Sequence, residues 1–293
     1  MEDHLSTRQV AEALKVSESS VKRWCNRGVI PTVRTVGGHR RIPLSGLMAF
    51  LEDTNRELAT PIVAPSGDEE PIMALDDQRA MFLECLSAAD IDKCRQVVTA
   101  WYTKTKSFAS VADQLIATAF HQIGEKWECG ELEVYQERQS CEICTRLLSE
   151  FHRILPNAPE NAPLAIGGAP EGDHYSLPSQ LAELVLRECG WKTLNLGPNL
   201  PLKTLLAAVT NHKPRILWIS ASHIADPDEF AVEFGEMHEA LPADLMTVVG
   251  GRALNDALRP KMKYNVHCDN MQQLASFAKA FLGSPRRITT SDN

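Results

Sequence analysis

At 293 residues, with 44% hydrophobic side chains and eight cysteines that lie singly apart from Cys141 and Cys144, the chain has room for two or three domains with ordinary cores and lacks the spacing of a disulfide framework. Its apolar runs stay short of the roughly 20 residues that a membrane span needs, which excludes a helical membrane protein and leaves a soluble, reduced, cytoplasmic one as the expectation. A net charge of -8 argues against a nucleic-acid partner, yet residues 5–50 hold eight Lys/Arg against two acids (+6), while the remainder holds 22 against 36 (-14), so phosphate attraction is confined to one small cationic module.

Ser6 stands where an N-cap belongs, ahead of Val10, Ala13 and Leu14. Ser17 or Ser19 can cap a second helix that runs to Arg27 and stops at Gly28. Within that helix Val21 and Trp24 are placed to pack inward, which turns Lys22, Arg23, Asn26 and Arg27 toward a DNA major groove. Gly37 and Gly38 then turn a hairpin that presents His39, Arg40 and Arg41 to phosphates or a minor groove, and Leu44 to Leu51 forms a third short amphipathic run. Helix, helix and basic hairpin predict an α winged helix-turn-helix over residues 1–58. These residues resemble the MerR family, whose wings carry a Gly-Gly-His-Arg-Arg-like sequence. The resemblance covers Leu5 to about Leu51 and implies a homodimer or homotetramer on repeated half-sites of promoter DNA.

Residues 59–73 are proline-rich, acidic and without periodicity, and read as a linker. From 74 to 157 apolar residues recur at helical spacing, as in Val97, Val98, Trp101, Tyr102 and in Leu115, Ile116, Ala119, Phe120, Ile123, which predicts a four-helix bundle. Residues 162–284 alternate short apolar runs (Leu164–Ile166, Thr193–Leu196, Ile216–Ile219, Met246–Val249) with helical patterns near 178–188, 202–211, 229–240 and 271–281. That alternation predicts an α/β Rossmann-like doubly wound parallel sheet, and such sheets bind ligands beyond the carboxyl ends of their strands. Residues 285–293 read as a flexible tail.

A break near Gly130 separates two helical patterns, so that Trp127 and Glu137 lie near adjoining helix ends and can line one cavity. Winged module, helical bundle with Ile123-Gly124-x-x-Trp127-x-x-Gly130, then α/β domain is an order similar to that of the cobalamin-binding transcription factors of the CarH/LitR type. In that family the bundle caps the upper face of the corrin and a Trp-x9-Glu-His motif contacts the group on cobalt. Trp127 and Glu137 match it, with Arg138 at the His position and Glu128 after the Trp; His121 is the nearest other imidazole. The family's Asp/Glu-x-His-x-x-Gly, Ser-x-Leu and Gly-Gly stretches correspond to Gly172-Asp173-His174-Tyr175-Ser176-Leu177, Ser220-Ala221-Ser222 and Gly250-Gly251. The resemblance implies His174 as the lower ligand of cobalt, Ser220, Ser222, Gly250 and Gly251 along the slot for the nucleotide tail, and adenosylcobalamin as cofactor. The Gly pair would let a ligand approach the backbone at a strand end. The pattern departs where Gly172 replaces the acid that should orient His174 and Leu177 replaces the glycine.

The function implied is a transcriptional repressor, not an enzyme, controlled by a cobalamin-type and light-responsive sensor, a photoreceptor. Alternatives are the same regulator holding a bilin tetrapyrrole or no ligand, with Arg138 meeting a propionate and Cys129, Cys141 or Cys144 supplying a thiol. A corrinoid methyltransferase subunit and a metal sensor built on Cys141-x-x-Cys144 are further alternatives. Among the remaining histidines, His4, His152, His212, His238 and His267 have no site-like spacing, and His223 is expected to face the pocket.

Overall fold

The structure, a computed structural model, describes residues 4–34, 40–43, 46–47, 50–51, 54 and 75–282. The chain divides into two compact units between residues 73 and 74. The expected linker at 59–73 and tail at 285–293 lie outside the described residues, as do Gly37, Gly38, His39 and Leu44.

In the first unit, helix α1 (Thr7–Ala13) and helix α2 (Glu18–Asn26) lie in the chain between the first and second strands of a small antiparallel sheet. Strand β3 (Arg40–Pro43) pairs on one side with β1 (His4–Leu5) and on the other with β2 (Val33–Arg34), in the register Val33↔Arg41 and Arg34↔Arg40. Ser17, not Ser19, caps α2: its hydroxyl accepts from the Ser20 amide at 3.3 Å. Gly28 ends the turn at φ +72. Val21 and Cys25 are buried with Leu5, Val10, Leu14, Ile30, Ile42 and Leu47, while Trp24 packs its ring 5.1 Å from Phe50. Residues 46, 47, 50, 51 and 54 are helical, and Leu47, Phe50 and Leu51 complete the same core.

The second unit joins a bundle to a sheet. The bundle comprises α3 (Leu75–Ser87), α4 (Ile91–Thr105), a continuous run of α5 (Phe108–Ser110), a π-helical segment (Val111–Ile116) and α6 (Ala117–Glu128), and then α7 (Val134–Ile154). The apolar stripes meet inside it, with Trp101, Phe108, Leu115 and Leu147 buried. Five parallel strands follow: β4 (Leu164–Gly168), β5 (Lys192–Asn195), β6 (Ile216–Ser220), β7 (Met246–Gly250) and β8 (Val266–Cys268), in the order β5-β4-β6-β7-β8. The fifth strand goes beyond the sequence expectation. It is three residues long, and Val-His-Cys carries no apolar run to announce it.

Helices α8 (Leu177–Glu188) and α11 (Met271–Leu282) share one continuous apolar core with the bundle and one face of the sheet. Helices α9 (Leu202–His212) and α10 (Pro227–Glu239) pack with Leu217, Ile219 and Val249 of the sheet in a second core. Two carboxylates clamp bundle to sheet. Glu188 of α8 accepts from the Phe108 amide at 3.0 and 2.9 Å, and Asp113 of the π segment accepts from Met271 and Gln272 at 2.9 Å each, an anion at the N-terminus of α11. Burial pushes the Asp113 carboxyl above its ordinary range, against those two amides.

Candidate functional site

Between the bundle and the carboxyl ends of β6 and β7 lies a cavity of about 540 Å³. The strand order reverses at β4, which has β5 on one side and β6 on the other, so the crevice stands where ligands enter such sheets. On the bundle side Gly130, at φ +72, breaks α6 from α7. The capping box of Glu133 and Gln136 then starts α7 so that its first turn faces the end of α6. This brings Trp127, Glu128, Glu137 and Arg138 onto the cavity wall. Trp127 remains 50% exposed, large for an indole, and offers a surface for a ligand to cover. Arg138 lies 3.7 Å from the Glu137 carboxylate. The Cys141 thiol, also on the wall, donates to Glu137 at 3.7 Å, and burial followed by that neighbouring charge pushes it up to about 12.

On the sheet side Ser220, Ser222, Gly250 and Gly251 line the same cavity. The role expected of the glycines changes. A Cβ at Gly251, whose φ is +113, would stand 2.2 Å from the Ala221 carbonyl oxygen, and one at Gly250 would stand 2.8 Å from that of Cys268. The pair lets neighbouring strand ends close on each other, and it is protein backbone that approaches.

His174 is exposed beside the wall residue Tyr175, and among the described residues no histidine side chain lines the cavity. Pro170 accepts from the Asp173 amide at 3.0 Å across a turn with φ +80 at Gly172. Asp173, fully buried, then spends its carboxylate on backbone: Oδ1 accepts from Tyr175 at 3.0 Å, and Oδ2 accepts from Ser222 at 2.5 Å and His223 at 3.2 Å. It holds the loop after β4 to the loop after β6 and is not available to orient an imidazole. His223 offers its amide to this clamp; its side chain is exposed and off the wall. His121 is exposed on α6 and lies 3.4 Å from Glu125.

Arg252 and Trp218 are among the wall residues that sequence reasoning missed. Arg252 follows the Gly pair, donates to the Ser222 carbonyl at 3.1 Å and stands 5.2 Å over the Tyr175 ring. Trp218 points from β6 toward α8, which strand alternation announces once the buried faces are known. The metal-sensor alternative finds no support in the geometry: Cys144 sits in the bundle core, and the described residues contain no group of three or more His, Cys, Asp or Glu placed to hold a metal ion.

In the first unit Lys22, Arg23 and Asn26 lie exposed on α2 and Arg27 is exposed at its C-cap, with Lys22 2.9 Å from Glu18. Arg41 is half-buried on β3, and Arg40 stands beside it in the register.

A helix-turn-helix domain model matches residues 5–55, and a B12 binding domain model matches residues 78–150. The HTH-type transcriptional repressor CarH of Myxococcus xanthus is 30% identical over 83% of this chain and 87% of its own length. The chain belongs to the CarH family. Another M. xanthus repressor, CarA, is 21% identical over 87% of this chain and 89% of its own. Among solved structures, the monomethylamine corrinoid protein of Methanosarcina barkeri superposes with a TM-score of 0.60 at 16% identity, over 71% of this chain and all of its own, a likeness of fold. This CarH-family member is thus a DNA-binding regulator with a corrinoid-type sensor. Whether its residues suit a corrinoid divides by part: the mostly apolar wall between bundle and strand ends suits a large flat ligand, whereas among the described residues no imidazole lines the cavity.

Proposed function

We propose that the chain represses transcription from promoter DNA, as a homodimer or homotetramer on repeated half-sites, and that a corrinoid of the adenosylcobalamin type in the cavity sets its grip. The observation that carries this reading is the position of the cavity: one wall is bundle and the other is the end of the sheet, so that a ligand filling it touches both bodies at once. Trp127, Glu128, Glu137 and Arg138 would hold it from the bundle, and Ser220 and Ser222 from the sheet. The corrinoid is here a signal and not a reactant, so no catalysis is assigned. The wall has no imidazole to fix a photoproduct, and occupancy, more than illumination, is the signal this geometry favours.

A metal-free bilin is the second reading. Two guanidiniums, Arg138 and Arg252, stand on a wall without histidine and suit propionates. A thiol held near 12 is a poor nucleophile at neutral pH, which counts against attachment at Cys141. Incubating the purified chain in the dark with hydroxocobalamin or with biliverdin, then desalting, separates the two. The corrinoid reading expects near-stoichiometric cobalamin absorbance to stay with the protein; retention of biliverdin alone, or of neither, contradicts it.

A further inference from the structure

We infer that Arg252, together with the backbone amides of Gly251 and Arg252, forms an oxyanion subsite at the strand ends and holds the anionic group of the cavity's ligand. The identity of that group rests on the corrinoid reading above, on which it is the phosphodiester of the nucleotide tail.

Charge is the first observation. Among the described residues Arg138 and Arg252 are the cations on the wall. Arg138 has the Glu137 carboxylate 3.7 Å away, whereas no carboxylate among the described residues forms an ion pair with Arg252. The wall carboxylates Asp113 and Asp269 have partners of their own, the α11 amides and Arg259. Arg252 is thus an uncompensated cation on a cavity wall, in a part of the chain that is acidic as a whole.

The guanidinium is also held in place. Its Nε donates to the Ser222 carbonyl at 3.1 Å, and its fork stands 5.2 Å over the Tyr175 ring. Both anchors depend on one carboxylate, since Asp173 accepts from the amides of Tyr175 and Ser222. The two Nη groups have no hydrogen-bond partner among the described residues. They are the donors that meet phosphate or carboxylate oxygens in pairs, and a fork already fixed loses little freedom on doing so.

The backbone adds to this. Gly251 leaves the strand at φ +113, and among the described residues neither its amide nor that of Arg252 donates to an acceptor. The pairing resumes at Ala253, whose amide donates to the Ala221 carbonyl at 3.1 Å. Two consecutive open amides beside a fixed guanidinium are a donor set of the kind that binds oxyanions.

The test is to titrate the full chain, in the dark, with adenosylcobinamide phosphate and with adenosylcobinamide, which lacks only the phosphate. The wild type is expected to bind the phosphate form about tenfold or more tightly. Arg252→Gln, which keeps a donor for the Ser222 carbonyl, is expected to abolish that preference while adenosylcobinamide affinity and the thermal unfolding midpoint stay unchanged. Equal affinity of the two ligands in the wild type would overturn the inference and leave the corrinoid reading standing, and so would a loss in Arg252→Gln that is the same for both. If neither these ligands nor adenosylcobalamin binds, the corrinoid reading falls, and biliverdin and its dimethyl ester decide the subsite. It stands if Arg252→Gln weakens only the free acid, and it falls if both or neither are weakened or if neither binds.

Discussion

At the scale of single residues, the loop after β4 turns on Asp173 more than on His174. The Asp173 carboxylate serves three backbone amides in a fully buried position, and Ala there leaves those amides without partners. Asp173→Ala is expected to lower stability by about 2–4 kcal/mol in denaturant unfolding, from unsatisfied buried donors. His174→Ala, at an exposed position, is expected to stay within about 0.5 kcal/mol of the wild type and to leave cobalamin retention unchanged. The sequence placed His174 in the loop after β4 because a loop's position follows from the strand before it. The shape of that loop depends on the φ of Gly172 and on a carboxylate contact 49 residues away, between Asp173 and Ser222. Neither is visible as spacing. The bundle residues were easier to place. Trp127 and Glu137 flank a helix break that Gly130 announces, and the short connection forces both helix ends to one side.

At the scale of elements, the helices of the second unit follow their apolar periodicity closely, and α8 to α11 begin and end near the expected positions. Two elements did not show themselves. Strand β8 is too short to carry a pattern, and it pairs only because β7 offers an edge. The π segment at Val111–Ile116 arises inside a stripe that reads as ordinary helix, and it puts Asp113 where its carboxylate can cap α11. That contact joins the two walls of the cavity, since Asp113 and Met271 both line it. Asp113→Ala is expected to cost about 1–2 kcal/mol, as loss of a helix cap does. Hydrogen exchange should then rise at the amides of Met271 and Gln272 more than in the centre of α11. Uniform exchange across α11 would show that the clamp carries no local stability.

At the scale of the whole molecule, a cationic reader and an acidic body give the chain its division of labour. Lys22 and Arg23 on α2 and Arg27 at its C-cap are proposed to supply phosphate attraction that falls with salt, while the chain outside residues 5–50, at -14, repels the same backbone. The fold class of each part was legible because each is built from a repeating pattern: helix and hairpin, helical stripe, then alternating strand and helix. The cavity's ligand was legible only through family resemblance, since its wall is made by residues from six separate stretches that no local pattern links. For one ligand to act on DNA binding, its affinity must differ between the DNA-bound and free forms, and linkage then fixes the reciprocal effect. The affinity of the purified chain for a fragment of its own promoter, measured in the dark at fixed salt with and without saturating adenosylcobalamin, tests this account most directly. A change of about tenfold or more, equivalent to about 1.4 kcal/mol of coupling, is the predicted result. An unchanged affinity with cobalamin demonstrably bound would contradict it.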